Sequence, residues 1–392
     1  MSPISLHGRH IVFFSWRDTR NPEGGGAEVY LEQIARGLGA RGARVSIFCA
    51  EHGAAPRDEV VDGVRFHRRG SKMAVYARGL LALATGRFGR HDLIVDVQNG
   101  MPFFTRLLSR KPVVVLVHHV HREQWPVVYP GLTGRIGWWI ESRLAPRLYR
   151  GSQYVAVSRA TLEELVGLGI DRSRIAVVHN GTEQPAAMDI DKSPEPSVCT
   201  VGRLVPHKQV EQAIDACVRL REELPDLCLT VVGDGWWAEQ LEAHAASVGA
   251  AEWVRFLGHV DEERKHQIYA ESWVMALPSL KEGWGLVIGE AGMHRTPTVA
   301  YRSAGGTQES INDGFSGILA EDFEGFVEGL RRILNDEHLL KELSSGARSM
   351  SQHYTWEHAQ HSFALVVTTV LEGERVHTSD PEGENPPPGP ML

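Results

Sequence analysis

Short apolar runs alternate with longer amphipathic segments over the first half of the chain, and this alternation predicts a parallel sheet. Continuous apolar runs of strand length indicate strands that are buried on both faces. A helix with one apolar face is predicted over Glu28–Ala40, after the first run. Alternating strands and helices form an α/β layer with helices on both faces of the sheet. The predicted strands are His10–Ser15, Arg44–Cys49, Val64–Arg68, Leu93–Val97, Val113–Val117 and Tyr154–Val157.

The second half of the chain repeats this plan. Its predicted strands are Ser197–Val201, Leu227–Val232, Arg255–Leu257, Ser272–Leu277 and Thr298–Ala300. Its predicted helices are Val210–Glu223, Trp237–Ser247, Glu324–Asn335 and Glu337–Ser345. We therefore predict an α/β protein of two doubly wound, Rossmann-like domains. The carboxyl ends of their strands are expected to face a central cleft, where open α/β sheets bind ligands.

The domain boundaries follow from composition. A segment rich in Pro, Asp and Glu, Asn180–Pro196, is the predicted linker, so we place one domain at residues 1–185 and the other at 186–354. The amphipathic helix at residues 355–372 has no remaining strand to cover, and we expect it to cross back to the first domain. Residues 373–392 are rich in Pro, Gly and acidic side chains and are predicted to be disordered.

Composition places the chain among ordinary globular proteins. Of its 392 residues, 42% are apolar and 23% charged, which suits a large core and two domains. Four widely spaced cysteines in apolar runs favour buried, reduced thiols over a zinc site. The N-terminus lacks a signal-peptide apolar region, and no apolar run reaches membrane-spanning length. These features predict a cytoplasmic protein.

Charge is divided unequally along the sequence. Residues 1–185 contain 25 Lys and Arg against 16 Asp and Glu, a net charge of +9, while the remainder carries −17. A basic first half favours an anionic acceptor or peripheral contact with an acidic membrane surface, at the inner face for a cytoplasmic protein. Arginines on ordinary solvated faces would give the same count. No nucleic-acid partner is predicted.

The segment Leu277–Glu290 follows a buried strand and has the features of a ligand-binding turn. Gly283 and Gly285 permit a tight backbone before a helix that begins near Leu286. The positive end of a helix suits a phosphate, and a carboxylate one turn further along, such as Glu290, suits sugar hydroxyls. With Glu282 in the loop, this pattern predicts a holder of a ligand with both phosphate and sugar. A plain turn with surface glutamates is the alternative.

A second cluster follows the strand Ser197–Val201. Arg203 offers a bidentate fork for phosphate oxygens, and Lys208 offers a point charge five residues later. Across one loop, both can reach the same pyrophosphate. Two such cations would stabilise a nucleoside diphosphate leaving group, a task otherwise given to a divalent metal. Two unrelated surface cations are the alternative.

Glycine-rich turns mark two further candidate contacts. Gly25 and Gly26 open the first helix, where backbone N–H groups can approach a phosphate or an acceptor, although the pattern is not a dinucleotide fingerprint. Gly258, His259 and Val260 follow a short strand and offer exposed backbone that could contact a flat base edge.

Three histidines, His118, His119 and His121, follow the strand Val113–Val117. At the carboxyl end of a strand, a histidine can serve as a hydrogen-bond donor or a general acid or base. A metal site is disfavoured, because adjacent side chains of an extended segment point opposite ways and no nearby carboxylate completes a ligand set. Histidines satisfied within the core are the remaining alternative.

The segment Trp125–Arg150 combines aromatic and basic residues. That combination is typical of a helix lying at a membrane surface. However, Ile136, Ile140 and Leu144 recur at helical spacing and favour a core helix whose arginines point outward.

Short motifs recur in a fixed order along the chain. They are G-G-x-E near the start, V-x-V-S (Val155–Ser158), H-N-G (His179–Gly181), G-R-L-x-x-x-K (Gly202–Lys208), V-G-D-G (Val232–Gly235), F-L-G (Phe256–Gly258), P-S-x-x-E-G-x-G-x-x-x-x-E (Pro278–Glu290) and G-G-x-x-E (Gly305–Glu309). Single motifs are weak, but the spaced glutamates with Arg and Lys upstream are specific in combination. The ordered set resembles glycosyltransferase family 4 over about residues 10–370.

The resemblance implies the GT-B fold, with an N-terminal acceptor-side domain and a C-terminal domain that binds a nucleotide sugar. It also implies roles for individual residues. Those matching the family are Arg203 and Lys208 at the pyrophosphate, Glu290 at the ribose, Glu282 at the transferred sugar, Leu286 and Val287 beside the phosphates, His118 near the sugar 6-hydroxyl, and Gly25 and Gly26 near donor phosphate and acceptor. Trp284 stands where the family usually has Phe.

The implied function is retaining transfer of a hexosyl group from a UDP- or GDP-sugar to a hydroxyl of a glycolipid, polysaccharide or small metabolite. The acceptor would attack the face from which the diphosphate leaves, with no metal or other cofactor. A nucleotide-sugar epimerase or a sugar phosphorylase could share the fold, but the late lysines show no pyridoxal phosphate setting. A two-lobed binding protein would typically be exported, and no export signal is present.

Overall fold

The computed structural model describes residues 4–185 and 190–378 and divides the chain into two compact units. Among the described residues, unit 1 contains those up to Asn180 and those from Trp356 to Thr378, and unit 2 contains those between Gly181 and Thr355. The sequence analysis placed the boundary five residues later, after residue 185. Unit 1 is therefore discontinuous in sequence.

Unit 1 is built on an eight-stranded sheet in the order β3-β4-β2-β1-β5-β6-β7-β8. All neighbours are parallel except β3 and β4, which form an antiparallel pair. The sequence analysis missed β3, which is half exposed, and β8, which has only three residues. The strands are β1 His10–Phe14, β2 Arg44–Cys49, β3 Asp58–Val61, β4 Val64–Arg68, β5 Leu93–Gln98, β6 Val113–Val117, β7 Gln153–Ala156 and β8 Ile175–Val177.

Six helices of unit 1 lie between these strands. They are α1 Gly26–Ala40, α2 Ala74–Ala84, α3 Gln124–Val128, α4 Leu132–Trp139, α5 Ala145–Leu148 and α6 Arg159–Gly167. A π-helical turn, Ile140–Leu144, joins α4 to α5. Short 3₁₀ turns lie at Thr105–Leu107 and Arg172–Arg174.

Unit 2 is built on a six-stranded sheet in the order β11-β10-β9-β12-β13-β14, parallel throughout. Its strands are β9 Ser197–Val201, β10 Cys228–Val232, β11 Val254–Phe256, β12 Val274–Leu277, β13 Thr298–Tyr301 and β14 Gly317–Ala320. Its helices are α7 Val210–Leu220, α8 Ala238–Ser247, α9 Glu262–Glu271, α10 Leu286–Met293, α11 Thr307–Ser310, α12 Phe323–Asn335 and α13 Glu337–His353, with 3₁₀ turns at Pro206–Lys208 and Arg302–Ala304. Two α/β, Rossmann-like domains with parallel sheets are thus confirmed.

The last helix, α14 (Trp356–Leu371), belongs to unit 1. Its buried face includes Phe363, which stacks on Phe13 of β1 with ring centroids 6.4 Å apart. Gln360 donates from Nε2 to the carbonyl of Gln33 at 3.0 Å. A Cβ on Gly37 of α1 would lie 2.3 Å from Cγ of Gln360, so a glycine at this position allows the two helices to meet.

The segment after α14 corrects the prediction of disorder from residue 373. Gln153 and Val376 exchange two hydrogen bonds, at 2.7 and 3.0 Å. Thr378 donates its N–H to the carbonyl of Ile175, and its hydroxyl accepts from the N–H of Val177 at 2.7 Å. The chain is thereby ordered along the outer edge of the sheet as far as residue 378. Residues 379–392 lie outside the described residues.

The end of the predicted linker is also ordered. Residues 186–189 lie outside the described residues, but Lys192 donates to the carbonyl of Ser272 at 2.6 Å and to Oγ1 of Thr296 at 2.7 Å. Burial lowers the pKa of Lys192 to about 8. Polar contacts therefore hold this segment on unit 2.

The four cysteines are free thiols; three are buried, and Cys228 is half-buried. In the described part of the chain, no helix combines the length and the apolar character needed to cross a bilayer.

We expect Phe363→Ala to destabilise unit 1 by about 3–5 kcal/mol, because it removes a fully buried ring and leaves a cavity against β1. The matched control is Leu365→Ala in the same helix, where the side chain is half exposed and a change within about 0.5 kcal/mol is expected. Hydrogen exchange of the whole protein measures both. Equal loss of protection in β1 for the two variants would contradict the prediction.

Candidate functional site

The loops at the carboxyl ends of β9, β10 and β11 are joined by backbone hydrogen bonds. The N–H of Gly202 donates to Val232 at 3.0 Å, and that of Gly233 donates to Gly258 at 2.8 Å. A Cβ on Gly233 would lie 1.9 Å from the carbonyl oxygen of Gly202, and φ of Gly233 is +124°. Glycine is therefore required at this crossing.

The loops after β9, β12 and β13 are joined in the same way. Leu280 donates its N–H to His207 at 2.9 Å. Glu282 donates its N–H to Ala304 at 2.8 Å, and its carbonyl accepts from Gly306 at 3.0 Å. These loops hold the predicted residues Lys208 and Glu282, so their backbones are fixed relative to each other.

Lys208 and Glu282 form an ion pair, with Nζ and Oε1 2.5 Å apart. The glutamate is buried, and the lysine side chain is 19% exposed. Burial acts to raise the pKa of Glu282, but Lys208, helped by His207, outweighs it and holds that pKa below its ordinary value. The carboxylate is therefore ionised. The sequence analysis predicted both residues as ligand contacts and did not foresee that they contact each other.

Arg203 and the predicted base contacts lie at the same edge of the sheet. Arg203 follows Gly202 directly after β9 and is half-buried. Gly258 takes a left-handed φ of +65° after β11, and its carbonyl is engaged by Gly233. His259 is exposed and Val260 half-buried.

Helix α10 begins directly after the loop that follows β12. Gly285 takes a left-handed φ of +88° and ends the loop, and no side chain caps the helix. The first N–H groups of a helix lack intrahelical acceptors, so those of Leu286 and Val287 can donate to an anion. Trp284 is buried and packs edge-to-face on Tyr354, with ring centroids 4.8 Å apart. The aromatic side chain at this position thus anchors the loop.

Glu290, on α10, is held by two residues that the sequence analysis did not place in the site. Tyr269 donates its hydroxyl to Oε2 at 3.0 Å, and Lys265 Nζ lies 3.2 Å from the same oxygen. Burial acts to lower the pKa of Lys265, but Glu290 and Glu262 raise it overall, so the ammonium is charged. Lys265 and Tyr269 are four residues apart on α9, a spacing that puts both on one helix face. That spacing is the feature of the sequence from which the two residues could have been found together.

In unit 1, His118 ends β6 and is buried against Tyr30, with ring centroids 5.3 Å apart. Burial, followed by the neighbouring His119, His121 and Arg17, lowers the pKa of His118 to about 3, so its imidazole is neutral at ordinary pH. Among the described residues, Nε2 of His118 is buried with no hydrogen-bond partner. A neutral ring with one unsatisfied nitrogen suits a hydroxyl ligand.

A carboxylate does approach the histidines, contrary to the sequence analysis. Oε1 of Glu141, from the π-helical turn, lies 3.1 Å from Nδ1 of His121, and Oε2 accepts from Nε1 of Trp125 at 2.7 Å. Asn99 contacts the other ring nitrogen of His121 at 2.8 Å. Burial raises the pKa of Glu141 to about 8. Among the described residues, no group of three or more His, Cys, Asp or Glu side chains is arranged so that it could hold a metal ion.

The glycine loop before α1 is occupied by the protein's own carboxylate. Gly25 donates its N–H to Oε2 of Glu28 at 2.8 Å, and Arg17 pairs with Oε1 of Glu28 at 2.7 Å. The predicted anion contact at Gly25 therefore already has an acidic partner, supplied by the motif G-G-x-E itself.

Comparison with known families gives two matches that together span most of the chain. Residues 187–350 match the family "Glycosyl transferases group 1", and residues 24–183 match "Glycosyltransferase Family 4". A D-inositol 3-phosphate glycosyltransferase of Geodermatophilus obscurus is 26% identical, over 89% of this chain and 86% of its own. A glycogen synthase of Mycobacterium tuberculosis is 26% identical, over 65% of this chain and 70% of its own.

Solved structures share the fold. A sucrose-phosphate synthase from Thermosynechococcus elongatus has a TM-score of 0.77 at 18% identity, covering 93% of this chain and all of that one. Anabaena HepE in complex with UDP-glucose has a TM-score of 0.73 at 20% identity, covering 92% of this chain and 99% of that one.

We expect Lys208→Met to make stability fall as pH rises. In the native protein the lowered pKa of Glu282 contributes stability above about pH 4.5, which is lost as pH falls through the folded pKa. Without Lys208, burial raises that pKa, so the variant is most stable below about pH 4.5 and loses stability above it. At neutral pH the expected loss is about 3 kcal/mol.

Urea unfolding between pH 5 and pH 8 measures this dependence. Lys208→Met combined with Glu282→Gln is the control, and its stability should follow the pH profile of the native protein over that range, because other buried groups such as Glu141 titrate in both. A single variant whose pH profile matches that of the native protein would show that the ion pair has no such role.

Proposed function

We propose, from the premise that this chain belongs to the GT-B glycosyltransferases resembling family 4 and acts on a nucleotide sugar, that it is a retaining hexosyltransferase. The donor in this proposal is a UDP- or GDP-sugar, and the acceptor carries a hydroxyl. The observation that carries the proposal is the ion pair of Lys208 with Glu282 beside the start of α10. It puts a cation, a carboxylate and helix N–H groups at one edge of the sheet.

In the proposed reaction, the bond from the anomeric carbon to the diphosphate oxygen breaks, and the electron pair leaves with the diphosphate. Arg203, Lys208 and the N–H groups of Leu286 and Val287 stabilise the negative charge that develops there. The acceptor oxygen attacks the same face and forms the new glycosidic bond, and its proton passes to the departing diphosphate. In this proposal Arg203 and Lys208 supply the positive charge at the leaving group, so no metal or other cofactor is required.

The carboxylates take different parts of the donor in this proposal. Glu282, fixed by Lys208, accepts hydrogen bonds from hydroxyls of the transferred sugar. Glu290 accepts from the ribose hydroxyls. Both of its contacts within the described residues fall on Oε2, so Oε1 is available for the ribose. The exposed backbone at Gly258, His259 and Val260 contacts the base.

Unit 1 supplies the acceptor side in this proposal. The unsatisfied Nε2 of His118 is the atom of this unit that we propose for a hydrogen bond to a sugar hydroxyl. The N–H of Gly25 is taken by Glu28, so contact with donor phosphate or acceptor falls to Gly26, the first residue of α1. The net charge of +9 over residues 1–185 favours an anionic or lipid-linked acceptor.

We expect nucleoside diphosphates and their sugars to raise the melting temperature of the protein, in a screen that compares UDP, GDP and ADP. Glu290→Gln should weaken binding of the preferred nucleotide about 10–100-fold, because the ribose hydroxyls lose a negatively charged hydrogen-bond acceptor. Lys208→Ala with Glu282→Gln should abolish the shift. Arg219→Ala, at an exposed pair on α7 of the same unit, is the control and should bind normally.

Product analysis then tests the reaction. With a competent acceptor, NMR of the anomeric proton should show the donor configuration kept, and added EDTA should leave the rate unchanged. Inverted product, or release of an epimerised nucleotide sugar, would contradict the proposal. A nucleotide shift that survives loss of Lys208 and Glu282 would place the donor elsewhere.

A further inference from the structure

Helix α4 presents an apolar face to solvent. Leu132, Ile136 and Trp139 recur at helical spacing, and their side chains are 69%, 49% and 55% exposed. Helices of globular proteins ordinarily turn such a face toward the core. The predicted core helix with outward arginines is therefore corrected at Ile136, which lies on an outward apolar stripe. Ile140 and Leu144 of the predicted stripe are half-buried.

Packing on the opposite side fixes this orientation. Gly134 and Gly137 are the buried residues of α4. A Cβ on Gly137 would lie 2.3 Å from the ring of Trp125, so the helix sits closely on the indole. Trp125 in turn donates to the fully buried Glu141 at 2.7 Å. Rotating the helix inward would push larger side chains into Trp125 and bring Glu141 out.

The exposed charges from Leu132 to Arg150 have one sign, and the exposed Glu123 lies outside this stretch, before α3. In the segment from Gln124 to Arg150, all four basic residues are exposed: Arg135, Arg143, Arg147 and Arg150. The single acidic residue of the segment, Glu141, is buried. Trp139, Arg143, Leu144 and Arg147 line a shallow apolar depression of about 440 Å³.

We propose that the α4 surface, defined as Leu132, Ile136, Trp139, Arg143 and Arg147, docks on an anionic lipid bilayer. Apolar and indole side chains enter the boundary between headgroups and acyl chains, while arginines meet lipid phosphates. A neutral apolar groove would leave these arginines without counter-charges, whereas an anionic bilayer offers apolar chains and phosphates side by side. This docking goes beyond the transfer reaction, because it requires neither donor nor acceptor.

Sedimentation of the full-length protein with vesicles tests the surface. Binding should be strong to phosphatidylcholine mixed with phosphatidylglycerol, weak to phosphatidylcholine alone, and reduced by salt. The triple variant Leu132→Ser, Ile136→Ser, Trp139→Ser should lose at least ten-fold in partitioning. Its control is Met73→Ser, Leu81→Ser, Leu107→Ser, three comparably exposed apolar residues elsewhere in unit 1, which should bind as the native protein does.

A charge variant tests the arginines separately. Arg143→Gln with Arg147→Gln should lower partitioning into anionic vesicles about 30-fold, because each interfacial arginine contributes about 1 kcal/mol. Arg78→Gln with Arg110→Gln, both exposed in unit 1, is its control. The nucleotide-induced thermal shift should stay intact in every variant, which separates this proposal from the proposed reaction.

Three outcomes would overturn the proposal. The native protein could fail to prefer anionic vesicles. The control variants could lose as much binding as the α4 variants. Light scattering could instead show that the native protein self-associates and that the apolar triple variant abolishes the association, which would make the α4 surface a contact between copies of the chain.

Discussion

Backbone hydrogen bonds between the loops that leave the six-stranded sheet are the constraint on which the candidate site depends. Each loop carries only one or two groups that could contact a ligand, and a single loop would not hold them in one position. Because Leu280 bonds His207 and Glu282 bonds Ala304, three loops behave as one rigid rim. Their crossings are so close that a Cβ on Gly306 would lie 2.1 Å from the carbonyl oxygen of Gly283. Glycine at these crossings therefore allows the close approach of the loops that fixes the positions of the site residues.

The contacts around this rim also determine how the two glutamates, Glu282 and Glu290, are stabilised as carboxylates. A glutamate as buried as Glu282 would ordinarily favour its protonated form, and a cation held 2.5 Å away reverses that preference. Glu290 is stabilised by a separate ammonium and a tyrosine hydroxyl on α9. Each acidic group therefore has its own donor, so the negative groups and the cations can share a small region without repulsion dominating.

Much of the fold could be predicted from sequence because buried parallel strands are continuous apolar runs. The bounds of β2, β4, β6 and β9 were predicted to the residue. Short or half-exposed strands such as β3 and β14 lack that signal. Half of the residues of helix α9 are charged and the helix shows little apolar periodicity, so it was missed together with Lys265 and Tyr269.

The candidate site was predictable as a set of residues but not as a set of contacts. Lys208 and Glu282 are 74 residues apart, and their pairing depends on which strands are neighbours. The α4 segment shows a complementary limit. Its apolar periodicity was visible in the sequence, but periodicity gives the existence of a face and not its direction. The direction came from glycines packed on Trp125, which are recognisable only with the tertiary fold.

The discontinuity of unit 1 has a consequence for biosynthesis. Among the described residues unit 2 is one uninterrupted stretch, whereas β1 and α1 await a helix that is translated only after that whole stretch. The sheet of unit 1 therefore emerges before unit 2 but must remain without its covering helix until unit 2 has been translated. Unit 2 can therefore finish folding before unit 1, although most of unit 1 is translated earlier. This order is the reverse of the usual one, in which the N-terminal domain folds first during synthesis.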